Sequence, residues 1–201
     1  MSDASFSVHL IDDDVQILKA LSRALSMAGY EVRTFVDAET FLDQHDPSLP
    51  GCVVVDLSLP GKDGFAVQRE LDACGRPVIF LTGQGDIPAS VRAMKGGALD
   101  FLQKPVDIED LLAAVDQARR LDDARRKEFL ERQDFEARIA RLTPREHQVL
   151  DHVVTGHLNK QIAASLGIVE KTIKVHRGRM MKKLGVRTVA DLVRTVKQFQ
   201  G

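Results

Sequence analysis

Tryptophan is absent from the chain and tyrosine occurs once. The apolar residues, 44% of the total, still suffice for ordinary packed cores. Cysteine occurs only at Cys52 and Cys74, with no spacing pattern. That excludes a disulfide framework and suits a reducing compartment. Each thiol reads as a small buried hydrophobe. No stretch approaches the ~20 consecutive apolar residues that cross a bilayer, so no membrane span is expected. The opening MSDASFSVHLIDDD lacks a basic segment followed by a long apolar one. No secretory leader is therefore expected, and the cytoplasm is the expected location. Internal repeats are missing too, which excludes solenoids and other repeat architectures.

Net charge is only −1, but the balance is uneven along the chain. Residues 1–118 carry 9 Lys/Arg against 19 Asp/Glu, residues 119–141 carry 8 against 6, and residues 142–201 carry 11 against 4. An acidic part suited to a metal cation is thus joined to a basic part suited to a polyanion. A length of 201 residues suits one large domain or two small ones.

The acidic part alternates short apolar runs with amphipathic segments. Ser7–Ile11, Glu31–Phe35, Cys52–Asp56, Val78–Thr82 and Leu99–Gln103 have the length and β-branched character of buried strands. Between them, Val15, Leu18, Leu21, Ala24 and Leu25 share one helical face that Gly29 ends. Val67 and Leu71, then Val91 and Met94, mark two further helices. Strict β-α alternation predicts a parallel sheet covered on both faces. Residues 108–141 contain no Gly or Pro and read as one helical stretch, with an apolar stripe of Leu111, Leu112, Val115, Ala118 and Leu121. Beyond Leu121 the charges crowd, and a solvated helical linker competes with a coiled-coil stalk. The basic part is helical throughout. It opens on Thr143 as N-cap, Pro144 at the first helical position and Glu146 completing a capping box.

The stretch CVVVDLSLPGKDG, Cys52 to Gly64, runs three valines into an aspartate. A carboxylate at the end of a buried strand is costly unless it is paired or binds a metal. Other polar residues stand at strand ends as well: Asp12, Asp13 and Asp14 after the first, Thr82 on the fourth, Lys104 before Pro105 after the fifth. In a sheet of order 2-1-3-4-5 the first and third strands are neighbours, and Asp12, Asp13 and Asp56 converge at the end where such sheets bind ligands. Carboxylate oxygens suit Mg²⁺, which keeps waters and favours phosphate partners. Asp14 reads as the N-cap of the following helix.

With these residues at these places, residues 6–118 resemble the receiver domain of bacterial two-component response regulators. LTGQGDIPASVRAMKGGALDFLQKP is similar to the FixJ-like subgroup in particular. The resemblance implies a flavodoxin-like five-stranded parallel sheet of order 2-1-3-4-5. It implies that Asp56 accepts a phosphoryl group from a sensor histidine kinase, with Asp12, Asp13, Asp56 and the Ser58 carbonyl around Mg²⁺ and with Asp12 acting mostly through water. By the same resemblance Thr82 and Lys104 bind the phosphoryl oxygens, and Thr82 and Phe101 form the switch. Lys62 stands where the family commonly has Met. A magnesium phosphatase using an Asp nucleophile is the competing class, but it needs an acidic residue at the position of Ser58. No enzymatic activity is expected beyond the receiver's own phosphorylation and dephosphorylation.

In the basic part, two helices joined by GIVE resemble a helix-turn-helix, the second bearing Lys171, Lys174, His176, Arg177, Arg179, Lys182 and Lys183. LTPREHQVLDHVVTGHLNKQIAASLGIVEKTIKVHRGRMMKKLGV resembles the four-helix LuxR/FixJ/NarL-type DNA-binding domain. That resemblance implies base contacts from Lys174 and Val175 and phosphate contacts from Lys160, Thr172, Arg177, Arg179, Lys182 and Lys183. Lys171 lies on the same helix. Val169 and Leu158 stand where capping residues are usual, and Gly178 where a polar contact can stand. The expected organisation is a receiver domain at 1–118, a helical linker at 119–141 and an all-α helix-turn-helix domain at 142–201. The expected partners are a sensor histidine kinase, double-stranded DNA, RNA polymerase and, on phosphorylation, a second copy of the chain.

Overall fold

The computed structural model describes residues 5–83 and 87–200, and it divides into two compact units that meet at Arg126/Lys127. The residues 84–86 of the FixJ-like stretch, and 1–4 of the opening segment, lie outside the described residues.

The first unit alternates β1 (Ser7–Ile11), α1 (Val15–Met27), β2 (Glu31–Phe35), α2 (Ala38–Gln44), β3 (Gly51–Asp56), α3 (Gly64–Asp72), β4 (Val78–Thr82), α4 (Ile87–Lys95), β5 (Asp100–Gln103) and the start of α5 (Ile108–Ile139). All strand pairs are parallel and the order is β2-β1-β3-β4-β5, as expected. The valine run explains the sheet's centre. Successive residues of a strand face opposite sides, so Cys52 and Val54 enter the core with Leu18, Leu25, Ile79 and Val115. Val53 and Val55 enter the other core with Phe41, Leu71 and Phe80. A strand buried on both faces reads as a nearly continuous apolar run.

Five expectations of burial need correction, the first being that Cys74 is exposed and only Cys52 is a buried thiol. β2 is an edge strand, and Glu31, Arg33 and Thr34 are exposed, because only β1 pairs with it. Val15 is exposed, since it stands in the first turn of α1, ahead of the buried Leu18, Leu21 and Leu25. Val91 and Met94 are about half exposed (49% and 51%), and among the described residues of α4 it is Ala93 that is buried in the core. The α5 stripe ends one residue differently. Leu121 is exposed and Asp122 is buried, because the Asp122 carboxylate accepts a hydrogen bond from the Gly51 amide at 3.2 Å.

The second unit comprises the end of α5 with α6 (Pro144–Val154), α7 (Asn159–Leu166), α8 (Glu170–Leu184) and α9 (Val189–Gln200). Its core joins Phe135, Val149, Leu150, Ile162, Ile173, Met180, Leu184 and Leu192. The capping box at Thr143 is formed. Gly167 and Gly185 close α7 and α8 at φ 66° and 71°, the left-handed conformation that glycine adopts without strain. Within the 119–141 stretch, Asp122 is buried in the first unit and Phe135 in the second.

Candidate functional site

Strand register assembles the acidic site. Ile11 pairs with Val55 across β1 and β3, so the next residues, Asp12 and Asp56, stand side by side at the carboxyl ends. Oxygens of Asp12, Asp13 and Asp56 lie within 4.8 Å of one another; Asp12 and Asp56 are buried, while Asp13 is exposed. Lys104 follows β5, and its amide donates to the Thr82 carbonyl at 2.7 Å, which brings its side chain over the same end of the sheet. Its ammonium donates to Asp56 Oδ2 at 2.7 Å and lies 2.6 Å from Asp12 Oδ2. Lys104 therefore bridges the two carboxylates. Asp12 Oδ1 accepts from the Asp14 amide at 2.9 Å, and Asp56 Oδ1 from the Ser58 amide at 3.1 Å. Asp14 caps α1, as expected.

Burial raises the Asp12 carboxyl above its ordinary pKa, and Lys104 and the Asp14 amide offset only part of the rise. For Lys104 burial acts downward, but the bonds to Asp12 and Asp56 outweigh it and hold the ammonium above its usual value. Three carboxylates face one ammonium, a formal excess of two negative charges that matches a divalent cation.

The turn after Asp56 is shaped by close approach. A Cβ at Gly64 would lie 2.7 Å from the Asp56 carbonyl, so the start of α3 tolerates only glycine there. Asp63 caps that helix through the Ala66 amide at 2.8 Å. Lys62 makes an exposed ion pair with Glu70 at 3.7 Å. Thr82 is buried, and its hydroxyl donates to the Gly83 carbonyl at 3.1 Å. Phe101 is half-buried, its ring 6.4 Å from that of Phe80.

In the second unit, Lys171, Lys174, Val175 and Lys182 are exposed and recur at helical spacing along one face of α8, together with Gly178. Lys160 and Arg179 are exposed as well, and Thr172 is half-buried. Lys174 makes a surface ion pair with Glu170 at 3.5 Å. Two of the basic residues have internal partners that sequence reasoning missed. Arg177 donates to Asn159 Oδ1 at 2.7 Å, tying α8 to α7. Lys183 donates to Glu146 Oε2 at 2.6 Å and to the Arg141 carbonyl at 3.1 Å. Glu146 is 2% exposed, and its carboxyl is held below the usual range by the Lys183 hydrogen bond and the Thr143 amide. The capping box marked Glu146 in the sequence, but its partner 37 residues later carries no local signal. Val169 and Leu158 provide no side-chain cap to α8 and α7.

Comparison with known proteins agrees with both halves of this geometry. Residues 8–116 match the family described as response regulator receiver domain, and residues 140–196 match the bacterial regulatory proteins of the luxR family. The chain belongs to the FixJ/NarL response regulators. Nodulation protein W of Bradyrhizobium diazoefficiens is 42% identical over 189 residues, covering 93% of this chain and 83% of that protein. The transcriptional regulatory protein FixJ of the same organism is 39% identical, covering 93% and 92%. The response regulator StyR has a solved structure with a TM-score of 0.85 at 43% identity, covering 98% of this chain and all of that one. Full-length FixJ from B. japonicum gives 0.58 at 38%, covering 97% of each. This response regulator is accordingly a two-component transcription factor and not an enzyme of the ordinary kind. Its family implies a histidine kinase and DNA as partners. No described helix is long and apolar enough to cross a membrane.

Proposed function

We propose that Asp56 is the phosphoacceptor of this response regulator and that its phosphorylation controls DNA binding by α8. A carboxylate attacks an anionic phosphorus reluctantly, because like charges repel. An Asp56 oxygen forms the new P–O bond while the P–N bond to the kinase histidine breaks. The imidazole nitrogen leaves with the bonding electrons. Lys104, already 2.7 Å from Asp56, supplies a fixed positive charge to the transferring group. Thr82, at the end of the neighbouring strand, supplies a hydroxyl. Asp12, Asp13 and Asp56, with the Ser58 carbonyl, would hold Mg²⁺. The three converging carboxylates and their doubly negative excess over Lys104 fit a divalent cation with oxygen ligands. When bound, the ion neutralises phosphoryl oxygens.

Movement of Thr82 and Phe101 then changes the surface formed by α4, β5 and α5, and two copies associate. The second unit presents Lys174 and Val175 to base edges in the major groove, with Lys160, Lys171, Thr172, Arg177, Arg179, Lys182 and Lys183 on the phosphate side. Arg177 and Lys183 keep their partners Asn159 and Glu146 while doing so, so their contribution is smaller than that of the freely exposed Lys171, Arg179 and Lys182. The protein works in the cytoplasm, where RNA polymerase is the further partner. As functional segments, 1–118 is the receiver, 119–141 a helical link and 142–201 the DNA-binding domain.

The observation that carries this reading is the convergence of Asp12, Asp13 and Asp56 on one end of the sheet with Lys104 bridging two of them. Footprinting on promoter DNA tests it. Treatment with a small acyl phosphate and Mg²⁺ should strengthen protection by the wild type and leave Asp56→Ala unchanged. Equal strengthening of both proteins would contradict it.

A further inference from the structure

Two side-chain clamps join α3 to α4, and neither is part of the acidic pocket. Gln68 on α3 is buried, with 7% exposure. Its amide nitrogen donates to the Ala93 carbonyl at 3.2 Å and to the Gly96 carbonyl at 2.8 Å, at the C-terminal end of α4. Carbonyls at a helix end lack their full set of partners within the helix; the Ala93 carbonyl takes the Ala98 amide at 3.0 Å as well, and Gln68 ties it and the Gly96 carbonyl to α3. The fit is close: a Cβ at position 96 would lie 2.8 Å from Gln68 Oε1, so any larger residue there would displace the Gln68 amide. The second clamp is Arg92, whose guanidinium lies 4.2 Å from the centroid of the Phe65 ring. Phe65 is also on α3, and its other face neighbour is Phe80, 5.4 Å away, which in turn neighbours Phe101. The first residue of α3, Gly64, packs against the Asp56 carbonyl. One helix therefore touches Asp56 at its start and holds α4 by its second and fifth residues.

We propose that Gln68 is a positioning residue. With Arg92 on Phe65, it holds α4 in the arrangement in which the Thr82 hydroxyl is committed to the Gly83 carbonyl, and so sets how readily the receiver leaves that arrangement. This rests on Asp56 as phosphoacceptor and Thr82 as switch; the clamp itself is independent of both. An interaction made in only one of two arrangements shifts their ratio by its own strength. A net hydrogen bond of the usual size corresponds to about a two- to tenfold shift, and an exposed cation–π contact to about a two- to fivefold one.

The test uses the full chain carrying Gln68→Met, which keeps the volume and removes the donor, and separately Arg92→Met, a surface change that leaves the core intact. Two readouts are taken: the rate of Asp56 labelling by acetyl phosphate with Mg²⁺, and amide hydrogen exchange across 93–98 without phosphodonor. The proposal expects labelling about two- to tenfold faster in Gln68→Met and about two- to fivefold faster in Arg92→Met, with faster exchange at 93–98 in both. A clamp that matters only for stability would lower the unfolding midpoint and leave both labelling rates at the wild-type value, and that result overturns the proposal. Slower labelling overturns it as well. If the wild type itself does not label, the reading of Asp56 fails. That is distinguishable from failure of the clamp alone, where the wild type labels and neither variant is faster.

Discussion

Replacing Asp13 by Asn should make the receiver more stable without metal and less stable with it. Asp13 is the exposed member of a carboxylate trio whose oxygens lie within 4.8 Å of one another. At that separation two unit charges repel by about 1 kcal/mol at the dielectric of water and about 3.5 kcal/mol at an effective dielectric of 20. Asp13 faces solvent, so the low figure applies. Removing its charge relieves two such repulsions and forgoes part of one attraction to Lys104, a net gain of roughly 1 kcal/mol. For a unit of this size that is a rise of about 3–5 °C in Tm. Mg²⁺ reverses the order. A ligand at a hundred times its Kd stabilises the form that binds it by about 2.7 kcal/mol, and Asp13→Asn loses a ligand and most of that increment. The assay follows thermal unfolding by tyrosine fluorescence, in chelator and in saturating Mg²⁺. The chain has no tryptophan, and its one tyrosine, Tyr30, lies in the first unit, so the signal reports that unit alone. The two proteins should exchange rank between the conditions. An Asp13→Asn protein that is less stable in chelator and gains as much from Mg²⁺ as the wild type would refute the reasoning.

Lys183→Ala leaves the Glu146 carboxylate buried beside an empty place, so it should lower the second unit's stability by about 1–3 kcal/mol in urea titrations followed by circular dichroism. Lys182→Ala, by contrast, should weaken DNA binding, reduce its salt dependence and leave stability unchanged. Val169→Ser supplies the missing cap of α8 and should stabilise that unit by about 1 kcal/mol in the same titration. The first unit should weaken in acid. Burial first, then the charges of Arg76 and His9, lowers His45 to about 4, and burial lowers His9, whose ring is 6.2 Å away. The unfolded chain therefore takes up protons that the folded chain refuses as pH falls from about 6.5 to about 4, and stability is lost across that window. His45 is half-buried, so solvent screening reduces its part to about 1–2 kcal/mol. His45→Gln should flatten the decline measured by Tyr30 fluorescence, and an unchanged slope would contradict the cause given.

The acidic site was legible because each of its residues is tied to a strand end. Once β1 and β3 are neighbours, the positions of Asp12 and Asp56 follow from period and register. Thr143 and Glu146 were legible for a similar reason, since a capping box is written within four residues. The partners of Lys183 and Arg177 were not legible, because Glu146 and Asn159 lie 37 and 18 residues away and meet them only through helix packing. A basic residue reads the same in sequence whether it faces water or a buried carboxylate. Val91 and Met94 misled by the same logic: an apolar side chain on a helix suggests a core, yet here the small Ala93 fills it. The burial of Asp122 in place of Leu121 depends on a free amide at Gly51, the first residue of β3, which no pattern along α5 reveals.

The central claim is that the residues at the strand ends make Asp56 a phosphoacceptor. Intact-mass measurement after acetyl phosphate treatment tests it most directly. With Mg²⁺ the wild type should gain one phosphoryl group, while Asp56→Asn and wild type in excess chelator should gain none and Lys104→Ala should gain far less. A phosphoryl group acquired equally by Asp56→Asn, or by the wild type without any divalent cation, would contradict the account.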